Sequence, residues 1–193
     1  NKIIMETVKD KISNAFKNLK SDVVYANKMS VPKIQKVVIS VGTGSKMRND
    51  KNKNTFISDR LAKITGQKPS PRASKKSIAQ FKVREGEPIG LSVTLRGEKM
   101  YSFLDKLVNV ALPRTKDFRG LDSKIIDNIG NLTLGIREHT IFPETGDEEL
   151  KDVFGLAITI VTTAKSKTEA KALFDYIGMP FKKESETTKK KRK

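Results

Sequence analysis

Between Gly66 and Gly97 the chain reads GQKPSPRASKKSIAQFKVREGEPIGLSVTLRG, and this stretch limits the fold more than any other. Its last third alternates: Ile89, Leu91, Val93 and Leu95 fall on one side of an extended chain, and Gly90, Ser92, Thr94 and Arg96 on the other. A period of two with one apolar side is the pattern of a strand that buries a single face. Ahead of it lies a loop in which Arg72, Lys75, Lys76, Lys82 and Arg84 surround the apolar Ile78 and Phe81, closed by Gly86 and Pro88. The stretch predicts a strand, an exposed basic loop and a second strand. A long cationic loop held by a sheet is a usual place for contacts. A solvated loop with incidental lysines has the same composition.

The same strand design recurs. After Pro32, VPKIQKVVISVG places Val37, Ile39 and Val41 opposite Lys36, Val38 and Ser40, and ends at Gly42. GNLTLGIR sets Leu132, Leu134 and Ile136 against Thr133, Gly135 and Arg137. FGLAITIVTT sets Phe154, Leu156, Ile158 and Ile160 against Gly155, Ala157, Thr159 and Val161. Apolar stripes at helical spacing mark four helices: Ile4 to Leu19; Ile57, Leu61 and Ile64, stopped by Gly66; Met100 to Ala111, ended by Pro113; and Ala170 to Ile177. The last follows a Ser166–Glu169 capping box and stops at Gly178 and Pro180. Helices of this kind must cover the apolar strand faces. The expected architecture is α+β: an antiparallel-rich sheet, helices packed on one face, and a polar face with its basic loop left open. Residues 1–181 are expected to form one domain, and the charged, nearly apolar-free 182–193 a disordered tail.

Charge indicates what the open face meets. The net charge is +17, and it is unevenly spread: +9 over residues 1–65, +5 over 66–97, −2 over 98–181 and +5 over 182–193. A charge this lopsided implies a polyanionic partner, nucleic acid before any other. A membrane surface fits less well, because no helix pairs a broad apolar face with a lysine-rich one. No apolar run approaches the roughly 20 residues of a membrane span. The N-terminus lacks the apolar block and cleavage site of a secretory signal, so a soluble intracellular protein is expected. An open face of Gly, Ser and Thr lets a sugar–phosphate backbone come close, with hydroxyls for hydrogen bonds and edge cations for phosphate. A merely solvated antiparallel face would read the same way.

Catalytic and metal chemistry find little support. There is no cysteine, and His139 is the one histidine, better suited to a structural role than to a ligand or base. GTGSK at 42–46 lacks the phosphate-loop spacing, and Met47 stands where a third glycine of a dinucleotide motif belongs; residues 42–54 are expected to be a flexible basic loop. ETGDEELKD lacks the spacing of a calcium loop. No cofactor is expected. Three classes remain: a non-catalytic RNA-binding protein, an RNA-processing or RNA-modifying enzyme with a basic substrate surface, and a nonspecific DNA-compacting protein.

The segments VPKIQKVVISVG, GQKP, RASKKSIAQFKVREGEPIG, VTLRGEKMYSFLDKL, LPRTKDFRGL, GNLTLGIREHTIFPE, VTTA and GMPF occur in this order. Together they resemble the bacterial family of the fifth large-subunit ribosomal protein, whose members carry 5S rRNA into the central protuberance. The resemblance covers nearly all of residues 1–181. It implies that the sheet surface grips 5S rRNA through the uncharged Ser40, Gln67 and Thr94 and the cations Lys33, Lys36 and Arg96. It implies that Lys75, Lys76, Phe81 and Arg84 form a tip touching the elbow of peptidyl-site tRNA. Arg114, Lys116, Arg119 and Glu144 would meet a small-subunit head protein across the subunit interface. 23S rRNA and other central-protuberance proteins are further implied partners. Three departures stand out: Ser40 where the family usually has Asn, Gln80 where it has Gly, and IIDNIGNL in place of an FDGRGNY-like run.

Overall fold

The computed structural model describes residues 7–18, 25, 27–44, 51–116, 118–145 and 153–182. The expectations for Ile4, Leu19, the 45–50 loop, the acidic 146–152 run and the tail beyond Lys182 lie outside these residues. β1 (Ile34–Gly42) occupies the middle of a five-stranded sheet. Around it lie β2 (Ser70–Ala73), β3 (Pro88–Leu95), β4 (Leu132–Ile136) and β5 (Leu156–Thr162), in the order β2-β3-β1-β5-β4. Every pairing is antiparallel. The period-two patterns fix the register. Val37 lies opposite Leu95 and Ile160, and Ile39 opposite Val93 and Ile158, so each apolar row meets another apolar row. A slip of one residue would turn all of them to solvent.

Four helices bury that face: α1 (Val8–Asn18), α2 (Lys51–Thr65), α3 (Gly97–Lys106) and α4 (Lys167–Ile177). α3 packs on β1 and α2 on β3, while α1 packs against both α3 and α4. Leu61, Leu104, Leu107, Leu173 and Phe174 are fully buried. Each such side chain is worth about 1.5–3 kcal/mol relative to exposure. The fold is thus the α+β architecture expected, with the four described helices packed on the apolar face.

Helix ends follow local chemistry. At α1, Thr7 and Asp10 cap each other: the Thr7 amide donates to Asp10 Oδ2 (3.3 Å) and the Asp10 amide to Thr7 Oγ1 (3.2 Å). α2 starts at Lys51, so residues 51–54 belong to a helix and not to the expected loop. It ends as foreseen at Gly66, whose left-handed φ of 66° turns the chain while its amide donates to Ala62 O (2.8 Å). Lys106 Nζ then donates to Ile64 O (2.7 Å) and Lys99 Nζ to Gly66 O (3.2 Å), cations satisfying the carbonyl end of the helix. α3 continues as a π-helical turn through Leu107–Ala111, where Leu112 N–H reaches back to Leu107 O (2.9 Å) before Pro113 forbids continuation. At α4, Ser166 Oγ accepts from Glu169 N–H (3.3 Å) as the capping box predicts, but Glu169 Oε2 returns to the Lys165 amide (2.8 Å), one residue earlier.

Candidate nucleic-acid interface

The side of the sheet away from the helices is built from short side chains in register. One row crosses all five strands: Ser70 opposite Ser92, Ser92 opposite Ser40, Ser40 opposite Ala157, and Ala157 opposite Gly135. The next row runs Thr94, Val38, Thr159 and Thr133, with the hydroxyls of Thr133 and Thr159 3.3 Å apart. A third joins Gly42 and Gly90 to Arg72. Strands lie about 4.8 Å apart, so the first row is a shallow trough roughly 20 Å wide. No side chain in it is larger than serine.

Cations and an amide gather at the end where β1 begins and β3 finishes. Lys33 is exposed, its backbone pinned to the residue that follows β5: its amide donates to Thr163 Oγ1 (2.9 Å) and its carbonyl accepts from the Thr163 amide (2.9 Å). Lys36 lies opposite Val161 on the open face. Arg96 is exposed where β3 turns into α3. Gln67 Nε2 donates to Thr94 O (3.4 Å), so residues 27 apart in sequence meet, and the Gln67 side-chain oxygen can still accept. The fold therefore brings Lys36, Ser40, Thr94, Gln67 and Arg96 to one region, with Lys33 at its border. Arg72, Ser70, Thr133 and Thr159 join that surface, while Ser92 in the same row is buried. The outward positions of Ser92, Thr133 and Thr159 followed from period-two spacing, whereas Arg72, expected in the basic loop, lies in β2 opposite Gly90; the alignment of all of them across strands depended on the register.

The loop between β2 and β3 folds back on itself. Ser74 and Gly86–Glu87 exchange backbone bonds (2.8 and 3.0 Å), as do Ile78 and Val83 (3.0 and 3.2 Å). A 3₁₀ turn at Ala79–Phe81 forms the tip. The left-handed position of this turn falls on Lys82, φ 51°, and not on Gln80, so the turn has no need of glycine at Gln80. Phe81 is 62 % exposed at the tip and Ile78 45 %, with Lys75, Lys76 and Arg84 exposed on the flanking chain.

A third surface lies beside β4. A groove of about 750 Å³ is lined by Arg114, Lys116, Arg119 and Arg137, over apolar residues that include Phe118 and Ile141. Arg114, Lys116 and Arg119 are thus brought together. Glu144 is directed elsewhere, into an ion pair with Lys106. His139 lies in the core, 1 % exposed, its ring stacked 4.0 Å from that of Phe154 and its Nδ1 accepting the Phe154 amide (3.3 Å). Its role is structural. Among the described residues no three His, Asp or Glu side chains cluster as metal ligands, and no helix is long and apolar enough to cross a membrane.

Two family models match the chain: residues 27–84 that of ribosomal protein L5, and residues 88–181 that of the C-terminus of the same ribosomal protein family. The large ribosomal subunit protein uL5 of Geotalea uraniireducens is 51 % identical over 164 residues, covering 85 % of this chain and 91 % of that protein. That of Trichlorobacter lovleyi is 50 % identical over 179 residues, covering 92 % and 99 %. That of Brevibacillus brevis is 51 % identical over 166 residues, covering 86 % and 92 %.

Proposed function

We propose, on the premise that this chain belongs to the ribosomal protein L5 family, that its open sheet face holds 5S rRNA. Membership makes it a non-enzymatic structural component of the large ribosomal subunit, acting in translation within the cytoplasmic ribosome. An RNA-processing enzyme is thereby set aside. The observation that carries the 5S rRNA reading is the row Ser70–Ser92–Ser40–Ala157–Gly135, flanked by hydroxyls and bordered by Lys33, Lys36 and Arg96.

The mechanism follows from side-chain size. A backbone ribose or phosphate lying on that trough meets no long side chain, so the hydroxyls of Ser40 and Thr94 and the amide of Gln67 come within hydrogen-bond reach. Lys33, Lys36 and Arg96 neutralise phosphates at the border, each contributing a salt-dependence slope of about 0.7–0.9. Charge supplies capture, and the short polar groups set register on a particular RNA shape. The β2–β3 tip contacts peptidyl-site tRNA: Phe81 offers a face on which a base or ribose packs, and Lys75, Lys76 and Arg84 meet the backbone. Arg114, Lys116 and Arg119 contact a small-subunit head protein, with Glu144 reaching the interface only by leaving Lys106. 23S rRNA and neighbouring central-protuberance proteins complete the set of partners. Residues 1–181 act as one RNA-binding unit.

Binding of purified protein to 5S rRNA and to a size-matched control RNA, titrated across salt, tests this reading. A preference for 5S rRNA that persists as salt rises supports it. Affinities for the two RNAs that fall together would leave counterion release alone and sink it.

A further inference from the structure

The groove beside β4 combines a free strand edge with a basic rim. β4 lies at the border of the sheet, and among the described residues its outer side is paired only where it begins. There Ile126 bridges Leu132, and the Asp127 amide donates to Asn131 O (2.9 Å). Backbone groups on one edge of an antiparallel strand recur every second residue. The next outward groups after Asn131 therefore belong to Thr133 and Gly135. No described residue pairs with Gly135 on that side, and Gly135 lines the groove. The opposite border is blunted: β2 carries Pro71 and Arg72, the usual protection of an exposed edge. The β4 edge has a glycine near its end and no proline. Phe118 and Ile141 supply apolar surface beside it, and Arg114, Lys116, Arg119 and Arg137 the charge, with Glu138 the one acid among the described lining residues.

We propose that this groove docks an extended, acidic segment of a partner protein as an added strand along β4. The inference rests on the reading of Arg114, Lys116 and Arg119 as protein contacts, and names the chemistry of what they contact. A strand added to an edge takes main-chain hydrogen bonds from it and presents alternate side chains to two surfaces. Here one set meets apolar residues and the other a ring of cations, which selects alternating apolar and acidic residues. RNA would satisfy the rim and leave the strand edge and the apolar surface unused. A second copy of this chain would bring like charge against like.

The test uses the intact ¹⁵N-labelled chain and an N-acetylated peptide of about ten residues alternating Glu and Val, long enough to pair along one strand edge. Three controls accompany it: the same peptide N-methylated on alternate amides, a version with Lys for Glu, and a single-stranded RNA of similar length. The acidic peptide is expected to slow hydrogen exchange of the Gly135 amide by about tenfold or more at saturation. Methylation, or the exposed double variant Arg114→Glu/Arg119→Glu, should weaken binding by about tenfold or more, and the Lys version should not bind. Binding without protection of Gly135, equal affinity of the methylated peptide, or preferential occupation by the RNA would overturn the proposal. Subunit joining with ribosomes carrying the double variant separates the two readings. Weakened joining with an unprotected Gly135 leaves the contact and removes the added strand. Normal joining with a protected Gly135 leaves the added strand and removes the small-subunit partner.

Discussion

Ala157→Leu places one long apolar side chain in the middle of the small-residue trough. Ala157 is half-buried on the open face of β5, opposite Ser40 on one side and Gly135 on the other. Its side chain makes no part of the core, so the substitution should change stability by no more than about 0.5 kcal/mol. Leucine stands roughly 2.5 Å higher than alanine, and a hydrogen bond fails beyond about 3.5 Å. RNA seated at contact distance is therefore lifted out of reach of Ser40, about 4.8 Å away on the next strand, and of Thr94 and Gln67 beyond it. Three such bonds at about 0.5–1.5 kcal/mol each amount to roughly 1.5–4.5 kcal/mol. That range is about tenfold to a thousandfold in Kd. Because no cation is touched, the slope of log K against log salt should stay the same. The assay is 5S rRNA binding at several salt concentrations, paired with urea unfolding of the same samples. Unchanged affinity with an unchanged unfolding midpoint would refute the reasoning, since RNA would then not lie on this row.

Lys33→Ala should reduce the salt slope for 5S rRNA by about 0.7–0.9 with little change in stability; an unaltered slope would remove Lys33 from the phosphate contacts. Gly130→Val should destabilise the fold by about 2–4 kcal/mol in chemical denaturation. Gly130 holds a left-handed φ of 90°, and an added Cβ would lie 2.8 Å from Ala164 Cβ and 3.2 Å from Ala170 Cβ; a wild-type midpoint would show that the 127–131 turn shifts at no cost. Asp127 is held below the usual carboxylate range chiefly by the Asn131 amide, helped by the Asn131 side chain and the Ile129 and Gly130 amides, against a smaller opposing effect of burial. A depressed folded-state pKa contributes stability above the unfolded value that is lost as pH falls through the folded one. The stability gap between wild type and Asp127→Asn should therefore be constant from neutral pH to near pH 4 and shrink below it; a gap that persists in acid would assign the effect to geometry instead of charge.

Features legible in the sequence and features that were not differ in the range of the interactions that set them. All five strands, the apolar face of four of them, the helix stops at Gly66, Pro113 and Gly178 and the excess of positive charge were readable, because each depends on neighbours a few residues away. The missed features were shifts of the same local kind: α2 beginning at Lys51 inside an expected loop, the π turn at 107–111, and Glu169 closing on Lys165. Ser40, Gln67 and Thr94 came as candidates through family resemblance, and the outward direction of Ser40 and Thr94 followed from period-two spacing. Their meeting did not. It needed β1 between β3 and β5, and Gln67 returning across 27 residues to Thr94. Likewise His139 could be read as structural, while the Phe154 ring and amide that hold it come from another segment. The free edge of β4 has no sequence signature at all. By itself the sequence determined which faces are apolar and which small; strand order and register, set by long-range packing, decided which small residues share a row and which edge is left unpaired.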